Sequence, residues 1–184
     1  MGAEDRLAEL KLELPPAPKP VATYVTALRV GDMLYVSGHG PLRSDGTMIT
    51  GRLGVDLEVP AGMAAARQTG LAILATVRSH LGSLDQVVRL IKSLGMVNCT
   101  PDFGDQPKVI NGFSDLMKDV FGDAGIGTRS AVGMGALPGG HRRGDRGHLP
   151  DQGLILRRSE LREHNPSRGS FPWLKPGDSR AAPA

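Results

Sequence analysis

The sequence predicts an α+β fold: a mixed β-sheet with two helices on one face. Three observations predict it. Residues 60–81 and 105–121 carry apolar side chains at steps of three and four. Four other segments are short, apolar and β-branched or aromatic, as strands are. Their order is strand, strand, helix, strand, helix, strand, with no internal repeat. Such an order builds one sheet and leaves its second face to be covered by other subunits, so a homo-oligomer is expected.

Residues 4–14 suit a short helix, with Leu7, Leu10 and Leu14 on one side, until "LPPAPKP" ends it. "ATYVTALRVGDMLYVSG" reads as a hairpin with strands near 22–29 and 33–37. Residues 39–57 are rich in glycine and polar groups. They read as a loop, with a short strand near Met48. Pro60 suits a first helical turn. The stripe Met63, Ala66, Gly70, Leu74, Val77 and Leu81 follows, and Gly82 supplies the stop. "VVRLIKSLGMVN" is apolar on both alternations, as expected of a strand covered on both sides.

Asp105 is placed to cap a second helix, with Pro107 in its first turn. Its stripe is Val109, Phe113, Leu116, Met117, Val120 and Phe121, and Gly122 ends it. "TRSAVGMGAL" reads as a strand over about 128–136.

Composition narrows the function. Of 184 residues, 40% are hydrophobic, enough for one core, and no apolar run is long enough to span a bilayer. The N-terminus lacks the basic and apolar regions of a secretory signal. The single cysteine, Cys99, excludes an internal disulfide and fits a reducing, cytoplasmic setting. It reads as a buried structural thiol. The net charge of +3 sits in the tail: residues 141–184 hold 9 Lys and Arg against 5 Asp and Glu, and residues 1–140 hold 13 against 14. A near-neutral domain argues against a nucleic-acid face, and with no spanning apolar run no membrane partner is expected.

Four segments, in order and at the right spacing, resemble the RidA/YjgF family of reactive-intermediate deaminases. They are Tyr24-Val25 after the proline-rich lead-in, "VSGHGP" at 36–41, "VINGFSDLMKDVFG" at 109–122 and "TRSAVGMGALP" at 128–138. The opening "RLAELKLELPPAPKP" is similar to the extension of a longer YjgF-like subgroup. The resemblance divides the chain into an N-terminal extension (1–20), a RidA-like domain (21–140) and a basic Pro/Gly/Arg-rich tail (141–184).

The resemblance implies a chorismate-mutase-like fold, a homotrimer with clefts between subunits, and hydrolysis of 2-imino and enamino acids to keto acids and ammonia. It implies no metal and no organic cofactor. Arg129 matches the family's carboxylate-binding arginine; a planar guanidinium suits a carboxylate, giving two charge-assisted hydrogen bonds. By itself it would read as a solvated strand arginine. Tyr24 matches an active-site tyrosine, or is an ordinary strand residue with its hydroxyl in water. Ser37 and Gly38 match a Ser-Gly pair whose glycine lets backbone approach a ligand, or form a turn. Asn111 matches an asparagine near the second helix start, or is a polar first-turn residue. His39 stands where many members have Gln, so the family gives it no role, and a surface histidine is expected. Ala131 stands where some members carry a cysteine.

The family closes on a strand of the type Val-Glu-Ile-Glu-Ala-Ile, whose glutamate is implied in holding the catalytic water. Here "GGHRRGDRGHLPDQG" follows instead, and residues 141–150 offer one strongly apolar side chain, Leu149. No strand is expected beyond Gly140. Codons for 141–149, read one base on, are compatible with T-A-V-E-I-E-A-I-F. Two accounts follow: an authentic disordered tail, or a reading frame changed close to Gly140. Three functions are in play: an imine deaminase, a non-catalytic trimer that binds small carboxylates or protein partners, and an RNA-binding or RNA-cleaving protein. The last lacks both a basic domain face and a recognisable His pair.

Overall fold

A computed structural model describes residues 1–137 and 151–158; of the side chains in 151–158 it describes that of Leu156. Among the described residues, three α-helices and five strands follow one another. They are α1 (Ala3–Glu9), β1 (Ala27–Val30), β2 (Met33–His39), α2 (Val59–Leu81), β3 (Val87–Asn98), α3 (Gln106–Phe121), β4 (Thr128–Met134) and β5 (Asp151–Arg158). The strands form one mixed sheet in the order β1-β2-β5-β3-β4. Among the described strands only β3 and β4 pair in parallel, because α3 carries the chain back between them.

Both long helices end where glycine permits it. Gly82 (φ 80°) and Gly122 (φ 61°) take the positive φ that closes a last helical turn. Asp105 stands at the N-cap of α3, but its side chain makes no capping hydrogen bond and pairs with Lys108 at 3.0 Å. The two apolar stripes pack together: Ala66, Leu74, Val77, Phe113, Leu116 and Met117 share one buried cluster with Leu34, Leu90 and Leu156 of the sheet. α1 is shorter than the periodicity of 4–14 suggests; Lys11 turns to φ 52°, and Ala3 and Leu7 are the residues it buries. The strand expected over 22–29 begins only at Ala27.

The expectation that no strand follows Gly140 is corrected at Asp151–Arg158. These residues lie between β2 and β3, antiparallel to both, with Leu34 opposite Leu156 and Leu156 opposite Leu90. The physical reason is the aliphatic run Leu154-Ile155-Leu156. Leu156 is buried in the core, and the strand supplies hydrogen-bond partners to two edges that would otherwise be open. Expectations attached to 141–150 and 159–184 lie outside the described residues.

The strand β3 was expected to be covered on both faces. Leu90, Ser93 and Val97 are buried under the helices, while Leu94 on the opposite face is exposed. That helix-free face also carries Leu28, Tyr35 and Val132, all exposed.

Candidate active site

Arg129 lies on β4, opposite Ser93 of β3. It is half-buried and turned toward α3. Its Nη1 donates to Asn111 Oδ1 at 2.9 Å and to Ser114 Oγ at 3.0 Å. Asn111 and Ser114 are three residues apart on α3, so they stand on one helical face and receive the same nitrogen. Arg129 also lines a cavity of about 290 Å³, with Leu90, Ser93, Ser114, Asp115, Lys118 and Ile126 among its other walls. This is a cation held in one orientation by two neutral acceptors. An arginine fixed in this way loses less entropy when it binds a carboxylate than a free one does.

The other half of the predicted set lies across the sheet. Tyr24 precedes β1 and is exposed. Ser37 Oγ donates to the Val25 carbonyl at 2.6 Å, and Ser37 N–H donates to the Thr26 carbonyl at 3.0 Å. Ser37 therefore ties the Tyr24 segment to β2. Gly38 follows within a β-bulge: three steps along β2, from Val36 to His39, match two along β5, from Leu154 to Gln152. Strands β5 and β3 separate β2 from β4, a span of roughly 14 Å at the usual strand spacing. Within one chain, then, Arg129 and Asn111 come together, Tyr24, Ser37 and Gly38 come together, and the two groups stay apart.

Two residues of the region were not singled out from the sequence for a role. Ser114 is the second anchor of Arg129, signalled only by its spacing from Asn111. His39, expected at the surface, is buried. Its Nδ1 lies 2.7 Å from the Ser37 carbonyl and its Nε2 lies 2.7 Å from Thr76 Oγ1 on α2. The carbonyl can only accept, so Nδ1 carries the proton and Nε2 accepts from the Thr76 hydroxyl. Burial holds the His39 imidazole below its ordinary range, against the hydrogen bond to Ser37 that favours charge; the neighbouring His80 adds to the lowering.

A histidine that stays neutral when folded charges more readily once unfolded. Stability is therefore lost as pH falls through the ordinary value of 6.5, and the loss levels off below the depressed folded value. Chemical denaturation across pH 8 to 5 is expected to show this slope, and His39→Gln to flatten it. Asp45 and Asp102, held low chiefly by the hydroxyls of Thr47 and Thr100, act only at more acid pH.

The fold and this arrangement define a class of protein, and comparison with known proteins agrees. The family described as "YjgF/chorismate_mutase-like, putative endoribonuclease" matches residues 4–138. The chain belongs to this YjgF/RidA family. It is similar to Protein TCP17 of Trypanosoma cruzi, 42% identical over 135 residues that cover 73% of this chain and 84% of that protein. Among solved structures it is similar to Atu1372 of Agrobacterium tumefaciens, with 36% identity, a TM-score of 0.73, and 85% of this chain and 91% of that chain covered. It also shares its fold with Escherichia coli TdcF, solved with bound serine: 22% identity, a TM-score of 0.51, and 79% and 94% coverage. Among the described residues, no helix is long and apolar enough to cross a membrane.

Proposed function

We propose that this protein hydrolyses reactive 2-imino and enamino acids to 2-keto acids and ammonia. The observation that carries the reading is the Arg129 guanidinium, held by Asn111 and Ser114 beside a cavity of about 290 Å³. The substrate carboxylate pairs with the free edge of the guanidinium. This fixes the neighbouring imine carbon for attack by water. An enamino acid first tautomerises to the imine, a proton leaving nitrogen and one joining the β-carbon. Water then adds across the C=N bond to give a carbinolamine. A proton passes from its hydroxyl to nitrogen, the C–N bond breaks, ammonia leaves, and the oxygen of water becomes the keto oxygen. The reaction uses neither a metal nor an organic cofactor. The serine bound to TdcF supports a small amino-acid-like ligand for this fold.

The working unit is a homotrimer with clefts between subunits. Two observations support it. The helix-free sheet face leaves Leu28, Tyr35, Leu94 and Val132 exposed, an apolar face of the kind that marks an interaction site. The five predicted site residues divide between the β1–β2 and the α3–β4 ends of the sheet, as they would if a neighbour completed each cleft. The single, buried Cys99 supports a reducing, cytoplasmic setting.

The test is hydrolysis of freshly generated 2-aminoacrylate to pyruvate and ammonia, with the mass of the sample measured by light scattering. Acceleration over buffer by a trimer is expected. A folded protein that binds pyruvate without turning over the imine would instead be the carboxylate-binding trimer.

A further inference from the structure

The buried His39 is not used by the mechanism above, yet it touches the Ser37–Gly38 pair directly. The alternation of β2 would put His39 on the same face as Tyr35 and Ser37. The bulge at Ser37–Gly38 reverses that, and His39 joins Leu34 and Val36 on the helix-covered face. From there its Nδ1–H donates to the Ser37 carbonyl at 2.7 Å, while the Thr76 hydroxyl, on α2, holds Nε2 at 2.7 Å. The Ser37 carbonyl and the Gly38 N–H belong to one peptide group. That group is trans, like every peptide bond described here, so the two dipoles point in opposite directions. Fixing the carbonyl on the imidazole aims the N–H away from it.

Resting on the proposed imine hydrolysis, we infer that His39 is a positioning residue. It locks the Ser37–Gly38 peptide so that the Gly38 N–H is presented to the carboxylate end of the substrate, as a second donor beside Arg129 from the neighbouring subunit. A bulge leaves its extra residue unpaired and the ladder locally disrupted, so the ladder with β5 does not by itself fix this peptide. The imidazole selects one, and Thr76 selects the tautomer that can do so. Burial keeps the ring neutral, so the lock persists through ordinary working pH.

The experiment compares the wild-type 184-residue protein with His39→Leu, His39→Gln and Thr76→Val. Kinetics use 2-aminoacrylate, and the Gly38 amide is followed by nitrogen-15 NMR during titration with pyruvate. His39→Leu is expected to raise KM about tenfold with kcat within about twofold, to move the free-state Gly38 resonance, and to lose its response to pyruvate. His39→Gln, whose amide can donate to the Ser37 carbonyl and accept from Thr76, restores both. Thr76→Val gives a smaller KM change in the same direction, and serves as the test if His39→Leu does not fold.

Wild-type turnover with a Gly38 amide that ignores pyruvate would overturn this inference and leave the deaminase reading standing. An unchanged KM in folded His39→Leu would do the same. A wild-type protein that does not turn over the imine, but whose Gly38 amide responds to pyruvate in a His39-dependent way, would sink the deaminase and keep the positioning role. Neither turnover nor a Gly38 response would overturn both.

Discussion

Arg129→Ala is expected to lower kcat/KM for 2-aminoacrylate hydrolysis by about a hundredfold or more and to leave the protein folded. Two charge-assisted hydrogen bonds to a carboxylate contribute roughly 1.5–3 kcal/mol each, and a hundredfold loss needs only about 2.7 kcal/mol. The fold is spared because Asn111 and Ser114 are both half-buried and water can replace the lost donor. Arg129→Lys is also expected to lose at least about tenfold. One ammonium cannot occupy the site held by Asn111 and Ser114 and at the same time grip a carboxylate with a planar fork. Steady-state kinetics beside thermal melting check both points. A destabilised Arg129→Ala protein would show that the arginine is structural.

The second large effect is on stability and comes from Gly112→Ala. A Cβ at position 112 would stand 2.0 Å from the Met63 carbonyl oxygen of α2. The obstacle is backbone, so the helices must move apart instead of letting a side chain rotate. Overpacking of this kind costs about 3 kcal/mol. For a domain of this size that is roughly 6–12 °C in Tm. Gly112 lies between Asn111 and Ser114, so the displacement also loosens the hold on Arg129, and KM is expected to rise. Differential scanning calorimetry reads the first effect and kinetics the second. A melting temperature within a degree of wild type would mean that α2 and α3 pack less closely than described.

Much of this fold was legible in the sequence because its signals are local. The stripes of α2 and α3 repeat at the helical period, and Gly82 and Gly122 stop them by backbone geometry alone. "VVRLIKSLGMVN" coincides with β3 to the residue. Less legible was what depends on partners. Asp105 had the right identity and place for a cap, yet it pairs with Lys108. Leu94 looked like core because it sits in an apolar strand, but which face the helices cover is decided by the sheet. The strand β5 was hidden by its setting: three aliphatic residues inside a basic, proline-rich tail carry little local signal. They become a strand because two ladder edges are waiting for one.

The site shows the same division. Arg129 and Asn111 are 18 residues apart, and family resemblance, not spacing, linked them; the hydrogen bond between their side chains gives the physical link. Ser114 carries no local signal, because a serine on a helix is ordinary until an arginine reaches it. His39 was misplaced for a definite reason. Strict alternation along β2 sends it outward, and a single extra residue at Ser37–Gly38 sends it inward. Bulges of this kind depend on the partner strand, and here that partner is β5, the element the sequence concealed.

The claim that joins these observations is that each cleft takes its Tyr24 half from one chain and its Arg129 half from another. Co-assembly of Tyr24→Ala and Arg129→Ala chains, carrying different tags so that mixed trimers can be isolated, tests it most directly. Every mixed trimer of cyclic symmetry has about one cleft in three built from two intact halves. The mixed trimers should therefore hydrolyse 2-aminoacrylate well above the mean of the two parents, approaching about a third of the wild-type rate. Mixed trimers no more active than that mean would place both halves in one chain and contradict the shared cleft.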